Sequence, residues 1–115
     1  TRRRSLALAL DTVANELLFR LADRAFARIR REARRAGLGT GIEASPGDPG
    51  MALEQQARVL ALADAARIGV HAAGAGMLSP MKSLSFLVAL GSNLSARSAP
   101  GRCNGCPSRD RCAVR

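Results

Sequence analysis

The residues from Ser5 to Ala36 follow one continuous helical pattern, and a helix of that length decides how the rest of a 115-residue chain can be arranged. Ser5 can cap its start, and Gly37 can end it. Apolar residues that recur every three or four positions predict its buried stripe: Leu10, Ala14, Leu18, Leu21, Ala25 and Ile29. Basic residues recur at the same spacing and predict a solvated face or a docking surface for an acidic partner: Arg20, Arg24, Arg28, Arg31 and Arg35.

Beyond Gly37 the pattern changes to shorter elements separated by glycine and proline. The spacing predicts a strand over 40–44, a helix over 51–66, a strand over 67–72 and a strand over 83–90 that is buried on both faces. We therefore expect an α+β fold, in which a long N-terminal helix and a second helix pack on a small, mainly antiparallel sheet, with a C-terminal cysteine loop. Residues 1–96 would form the domain, and residues 97–115 a basic linker and the cysteine loop.

All three cysteines lie within ten residues, in the order Cys103-x2-Cys106-x5-Cys112. Two thiols two residues apart can turn back on one metal, and a third can close over it. Neighbouring arginines lower thiol pKa values and favour the thiolate, which is the form that binds metal. The loop therefore predicts an iron–sulfur cluster, of the 4Fe–4S type before others, with zinc as the alternative.

A fourth ligand is missing from this set, because clusters and structural zinc sites usually have four. The residues that could supply it are His71, the only histidine, and Asp110; a partner, a substrate or water could also do so. One disulfide with a free thiol, or three reduced cysteines without metal, are the alternatives that the spacing leaves open.

The formal charge of +9 is concentrated at the two ends of the chain, where arginines outnumber acids. Such patches suit an acidic protein surface, a phosphate-bearing ligand or nucleic acid. Three phenylalanines with no tyrosine or tryptophan argue against single-stranded nucleic acid, which is usually held by stacking on aromatic rings. The sequence shows no Ser–His–Asp set or carboxylate pair that would indicate hydrolytic chemistry.

The N-terminal sequence bears on location and completeness. The apolar run after Arg2-Arg3-Arg4 ends at Asp11, which is too early for the core of an export signal, and no stretch is long enough to span a membrane. We therefore predict a cytoplasmic protein, where grouped cysteines more often bind metal than form disulfides. Because the chain begins at Thr1 without a methionine, we expect it to be a fragment, lacking an N-terminal segment, or a processed form.

The order of short motifs along the chain resembles the activation (reactivation) domain family of vitamin B12-dependent methionine synthase. The motifs that carry the resemblance are Leu10-Asp11, Ser45-Pro46-Gly47 with Leu53-Glu54-x-Gln56, Arg67-Ile68-Gly69-Val70 with Met77-Leu78-x-Pro80-x-Lys82-Ser83-x-Ser85, and the closing Cys-x2-Cys-x5-Cys-x2-Arg. Small stand-alone members of this family end in such a cysteine group.

The resemblance implies S-adenosylmethionine binding in the reductive remethylation of an oxidised cobalamin. It places the ligand at Ser45, Pro46, Gly47 and Lys82. The chain departs from the family pattern at Glu43, which stands where the family has an arginine, and at Asp48, which stands where it has a tyrosine. An acid in place of an arginine reverses the interaction with a ligand carboxylate. We therefore expect S-adenosylmethionine binding to be weakened or lost.

These observations predict an accessory metal or iron–sulfur protein that supports reactivation of a corrinoid or cobalamin-dependent methyltransferase. They favour an accessory or electron-transfer role over a stand-alone catalyst. The alternative is a zinc- or cluster-containing basic module that binds nucleic acid or an acidic protein partner.

Overall fold

The computed structural model describes residues 1–94 and 108–111, and a single long helix dominates it. This helix, α1, runs from Arg2 to Arg35 with Thr1 at the N-cap, so Ser5, the predicted cap, lies inside the helix, while the C-terminal bound is close to the prediction. At about 1.5 Å per residue it extends for roughly 50 Å, and it accounts for most of the 54 Å length of the molecule. The C-cap residue Ala36 donates to the carbonyl groups of the last turn, and Gly37 follows in the left-handed conformation, as the sequence predicts.

The strands form two separate two-stranded antiparallel sheets, where the sequence predicted one. β1 (Gly39–Ala44) pairs with β4 (Leu87–Gly91), and β2 (His71–Ala73) pairs with β3 (Met77–Ser79). The three-residue turn between β2 and β3 has positive φ at Ala75 and Gly76, and the Met77 N–H donates to the Gly74 carbonyl at 3.2 Å. The α+β class is confirmed, and β3 lies where the sequence predicted no strand.

The second helical region is broken, which corrects the prediction of one helix over 51–66 and a strand over 67–72. It consists of a 3₁₀ turn (Leu53–Gln55), the helix α2 (Gln56–Leu62) and a second 3₁₀ turn (Ala65–Ile68). Asp64 and Gly69 both have left-handed backbone conformations, with φ of 50° and 75°. These residues end the helical segments, so the strand cannot begin before His71.

The hydrophobic core is small and made mostly of short side chains. Its buried residues are Ala22 and Ala33 of α1, Thr40 of β1, Gln56 and Val59 of α2, and Ala65. The predicted stripe of α1 is right at Ala14, Leu18 and Ile29, which are half-buried, and wrong at Leu10, Leu21 and Ala25, which are exposed. The buried positions are instead Ala22 and Ala33, and β1 is a strand in contact with α1.

The last predicted strand is also shorter and less buried than expected. β4 begins at Leu87, and its residues Ala89 and Leu90 are exposed. A strand buried on both faces needs a layer on each side of its sheet. Here α1 packs against β1, the strand that pairs with β4.

Candidate functional site

Lys82 joins the segment after β3 to the N-terminal half of α1. Its Nζ lies 2.5 Å from Asp11 Oδ1 and donates a hydrogen bond to Asn15 Oδ1 at 2.7 Å. Asn15 Nδ2 in turn donates to Asp11 Oδ2 at 3.2 Å. Asp11 and Asn15 are four residues apart, so one helical turn presents both side chains to the same ammonium group. The three residues form a closed polar group, called here the Lys82 clamp.

The clamp changes the proton affinity of Asp11. The hydrogen bond from Lys82, and then its positive charge, lower the pKa of Asp11 below its ordinary value, and the hydrogen bond from Asn15 adds to this. The carboxyl is therefore charged over the whole neutral range. Lys82 was predicted as a ligand-binding residue, but its ammonium is engaged by α1.

A second polar contact joins α2 to the segment that leads into β4. Gln56 is buried, and its Nε2 donates to Ser85 Oγ at 2.7 Å. Burying the amide without such a partner would be unfavourable. Asp11, Gln56, Lys82 and Ser85 all belong to the motifs that carry the family resemblance, so these motif residues contact one another in pairs across the fold.

The Ser45-Pro46-Gly47 loop uses its own backbone donors. Ser45 N–H donates to Asp48 Oδ2 at 2.7 Å, and Asp48 N–H donates to the Ser45 carbonyl at 2.9 Å. Gly47 N–H donates to the Met51 carbonyl at 2.9 Å. A backbone cradle for a carboxylate or phosphate needs free N–H groups. The groups of this loop that would form one are already bonded within the loop.

Leu53 brings the Ser45–Gly50 loop and the hairpin of β2 and β3 together. A Cβ added at Gly47 would lie 3.6 Å from Leu53 Cδ1, and one added at Gly76 would lie 2.6 Å from Leu53 Cγ. Gly76 also has φ of 76°, so only glycine fits without strain. The loop and the later block, which the resemblance assigns to one ligand site, are thus neighbours in space.

Of the predicted metal ligands, the structure describes only His71 and Asp110. Cys103, Cys106 and Cys112 lie outside the described residues. His71 is exposed at the start of β2, beside a shallow groove of about 390 Å³ along α2, and Asp110 lies in a short 3₁₀ turn, Arg109–Arg111. Within residues 1–94 and 108–111, no three His, Cys, Asp or Glu side chains are grouped closely enough to hold a metal ion. The fourth-ligand prediction remains a prediction.

Sequence reasoning did not single out Asn15 and treated Asp11 only as a motif residue. A signal was available, since Asp11 and Asn15 are polar positions one turn apart on the side of the helix that continues to the buried Ala22. Polar residues on an inward side indicate a polar partner. The sequence could not name Lys82 as that partner, because 67 residues separate it from Asn15.

Comparisons of the chain with protein-family models, with curated proteins and with solved structures find no match in any of the three. The family resemblance therefore stays a prediction based on the motifs. In the part of the chain that the structure describes, no helix combines the length and the apolar character needed to cross a membrane.

Proposed function

We propose that the protein is a cytoplasmic accessory protein that binds an iron–sulfur cluster or another metal and supports reductive reactivation of a corrinoid or cobalamin-dependent methyltransferase. The observation that carries the proposal is the Cys103-x2-Cys106-x5-Cys112 loop at the end of an α+β chain whose motif order resembles the activation-domain family. The contacts between Lys82 and Asp11 and between Gln56 and Ser85 support the resemblance, since they give its motif residues a shared structural role.

The donor set of the loop fits the proposed cofactor. Three thiolates within ten residues are soft ligands of the kind that select iron–sulfur clusters or zinc. A cluster bound there would supply one-electron transfer. Arg102, Arg109 and Arg111 lie close to the cysteines in sequence, and positive charge near the thiols would favour their deprotonation and offset the negative charge of a thiolate site. His71 and Asp110 stay the candidates for the fourth ligand.

S-adenosylmethionine binding receives less support than the accessory role. Lys82 is held by Asp11 and Asn15, and the N–H groups of the Ser45–Gly47 loop are bonded within the loop. Asp48, at the position where the family has a tyrosine, accepts one of those bonds. A ligand at this site would have to displace internal contacts, which supports an accessory or electron-transfer protein over a stand-alone catalyst.

The alternative function, a metal-containing basic module, is favoured by one feature of α1. A shallow groove of about 460 Å³ near its C-terminal end is lined by Ala27 and four arginines: Arg30, Arg31, Arg34 and Arg35. Guanidinium groups suit phosphates and carboxylates. Filter binding of duplex nucleic acid over a salt series tests this function, and affinity that does not change with salt would reject it.

Metal analysis of the anaerobically purified chain tests the proposed cofactor. We expect iron and sulfide, with a broad visible absorption that disappears in the variant Cys103→Ser/Cys106→Ser. The variant Ser108→Ala, within the same loop, is the matched control and should keep both. Zinc without iron would favour the alternative function, and a chain free of both metals after reconstitution would overturn the proposal.

Calorimetric titration with S-adenosylmethionine tests the weakened ligand site separately. We expect no heat of binding at millimolar ligand, because the loop and Lys82 are internally bonded. If the natural chain binds S-adenosylmethionine and Lys82→Met does not, the clamp must open to the ligand. S-adenosylmethionine-dependent activity, as the family resemblance implies, would then be the better proposal.

A further inference from the structure

The side of α1 that faces away from the core carries an uncovered apolar ridge in its N-terminal half. The side chains concerned are 57 to 64% exposed and recur at intervals of four, three, four and four residues: Leu6, Leu10, Val13, Leu17 and Leu21. That spacing places them on one line along the helix. The line lies opposite the side of Ala22 and Ala33, which are 5% and 4% exposed. We call it the apolar half of the outer face.

The same line continues as a row of arginines in the C-terminal half of the helix. Arg24, Arg28, Arg31 and Arg35 follow Leu21 at intervals of three, four, three and four, and all four are exposed. Arg35 is bonded to Glu32 at 3.2 Å. Among the residues that the structure describes, Arg24, Arg28 and Arg31 form no ion pair. The outer face thus changes from aliphatic to cationic along its length.

A second copy of the chain does not complement this face. Two outer faces aligned in parallel would set arginine against arginine. Two fully overlapping antiparallel faces would set each leucine half against an arginine half. Antiparallel overlap restricted to the leucine halves brings residues 2–4, all arginine, towards Arg24 of the other copy, and like charges at such distances repel. The C-terminal residues 97–115, with five arginines and one acid, are no better matched.

A lipid surface matches the face less well than a protein does. An amphipathic helix that lies on a bilayer separates apolar from charged residues around its axis, so the whole length can lie at one depth. Here both kinds follow each other along one line. Laying the outer face flat on a membrane would press Arg24, Arg28 and Arg31 towards the depth at which the leucines insert.

We infer that the outer face of α1 docks a protein partner that presents aliphatic side chains followed, along the same line, by carboxylates. An amphipathic helix is the simplest such surface, because grooves and ridges of two helices interlock at close range. A full contact runs from Leu6 to Arg35, about 44 Å at the helical rise. The leucine half supplies the buried area, and the arginine half sets the direction in which the partner lies.

This inference does not depend on the cysteine loop or on its metal. A chain that binds no metal could still use the outer face, and a chain with a full cluster could lack the partner. A negative result in the metal analysis would therefore leave the partner inference intact, and a negative result in the partner binding would leave the metal proposal intact. Under the proposed function, the partner class would be the methyltransferase or an intermediate protein with an acidic helix.

Designed peptides of about 30 residues, long enough to span the face, test the inference on the whole chain. The first peptide has leucines along one half of a helical face and glutamates along the other half. The second has the same composition with leucine and glutamate interleaved along the face. One tryptophan in each peptide reports binding without interference, because the chain has no tryptophan or tyrosine. We expect the segregated peptide to bind at least about tenfold more tightly, the scale of one well-buried leucine.

Two variants and one control assign the contact to the outer face. Leu10→Ser/Leu17→Ser should lower the affinity at least about tenfold, and Arg24→Glu/Arg28→Glu should lower it and flatten its salt dependence. The control Leu62→Ser/Ile68→Ser changes residues that are 78% and 80% exposed elsewhere and should leave binding unchanged. Circular dichroism checks that each variant is folded, and the two peptides compared on the unaltered chain need no variant.

Three results would overturn the inference. The first is equal affinity for the segregated and interleaved peptides. The second is a stable dimer in sedimentation equilibrium that Leu10→Ser/Leu17→Ser abolishes, which would assign the face to a second copy. The third is binding to vesicles of anionic phospholipid, sensitive to the same variant, without binding of either peptide.

Discussion

The two halves of α1 are attached to the rest of the protein by different kinds of contact. Residues 22–35 carry Ala22 and Ala33, which are both buried. Residues 2–21 carry no buried residue. This half is joined to the rest of the chain through the Lys82 clamp, in which Asp11 is exposed and Asn15 is half-buried; Ala14 and Leu18 on the same half are also half-buried.

The difference shows how one helix can serve as both core and surface. Apolar burial grows with the area removed from water and is not screened by salt as an ion pair is, so it fixes the C-terminal half. An exposed ion pair contributes little to stability, because water and salt screen it. The outer face of the N-terminal half is therefore left uncovered, and its exposed leucines stay available to a partner.

The largest effect is expected when a charge is placed in the packed half. Ala33→Glu puts a carboxylate at a position that is 4% exposed, and we expect it to lower the free energy of unfolding by about 2–3 kcal/mol. Urea denaturation measures the change. Ala27→Glu, on an exposed turn of the same half, is the control and should stay within about 0.5 kcal/mol. Equal effects at both positions would mean that α1 is not packed as described.

Removal of the clamp should act locally on the N-terminal half. Lys82→Met takes away the partner of Asp11 and Asn15 but keeps the aliphatic stem, so the global stability should fall less than in Ala33→Glu. Amide hydrogen exchange should become faster in residues 6–15 and stay unchanged in residues 22–35. If amide exchange in this variant became uniformly faster along the whole of α1, the division into two halves would be contradicted.

The clamp should also weaken in acid. The pKa of Asp11 is lower in the folded chain than its ordinary value of 3.8, mainly because Lys82 donates to it. A depressed carboxyl pKa gives stability that is fully present above the unfolded pKa and is lost as the pH falls through the folded pKa. The stability difference between the natural chain and Lys82→Met should therefore be larger at pH 6 than at pH 2, measured by urea denaturation. A difference that grows in acid would exclude the ion pair as its cause.

The smallest effect on folding is expected on the outer face. Leu10→Ser/Leu17→Ser replaces side chains that are already in water, so the free energy of unfolding should change by no more than about 1 kcal/mol, part of it from the lower helix propensity of serine. Thermal melting followed by circular dichroism checks this. A large loss of stability would show that these leucines are covered within the chain, and the docking face would then be withdrawn.

The sequence predicted the long helix well, because a helical repeat sustained over more than thirty residues depends on local spacing alone. It placed Leu21 and Ala25 on the buried side of α1, whereas both are exposed. Two apolar lines run along the N-terminal half, and hydrophobic spacing does not say which one another element will cover. The strand predicted over 67–72 was wrong for a different reason, since the left-handed turns at Asp64 and Gly69 overrode the alternation of Ile68 and Val70.

The predictions for the candidate site likewise divide into those that depend on sequence spacing alone and those that depend on the fold. The spacing of Cys103, Cys106 and Cys112 is a property of the sequence, and it carries the metal prediction by itself. The use of Lys82 by Asp11 and Asn15, and the bonding of Asp48 to Ser45, depend on side chains meeting across the fold or within a loop. No local pattern identifies Lys82 as the partner of α1, and the family resemblance led to the prediction of Lys82 and Ser45 as ligand-binding residues.

What the sequence determined alone is therefore the long helix, the α+β class and the grouping of thiols, which follow from periodicity and spacing along the chain. Only the tertiary structure decided which side of α1 is buried, that the strands form two sheets, and that Lys82 is held by the helix. The physical reason is that burial and ion pairing depend on which distant residues come within a few ångströms of each other, and one-dimensional spacing does not contain that information.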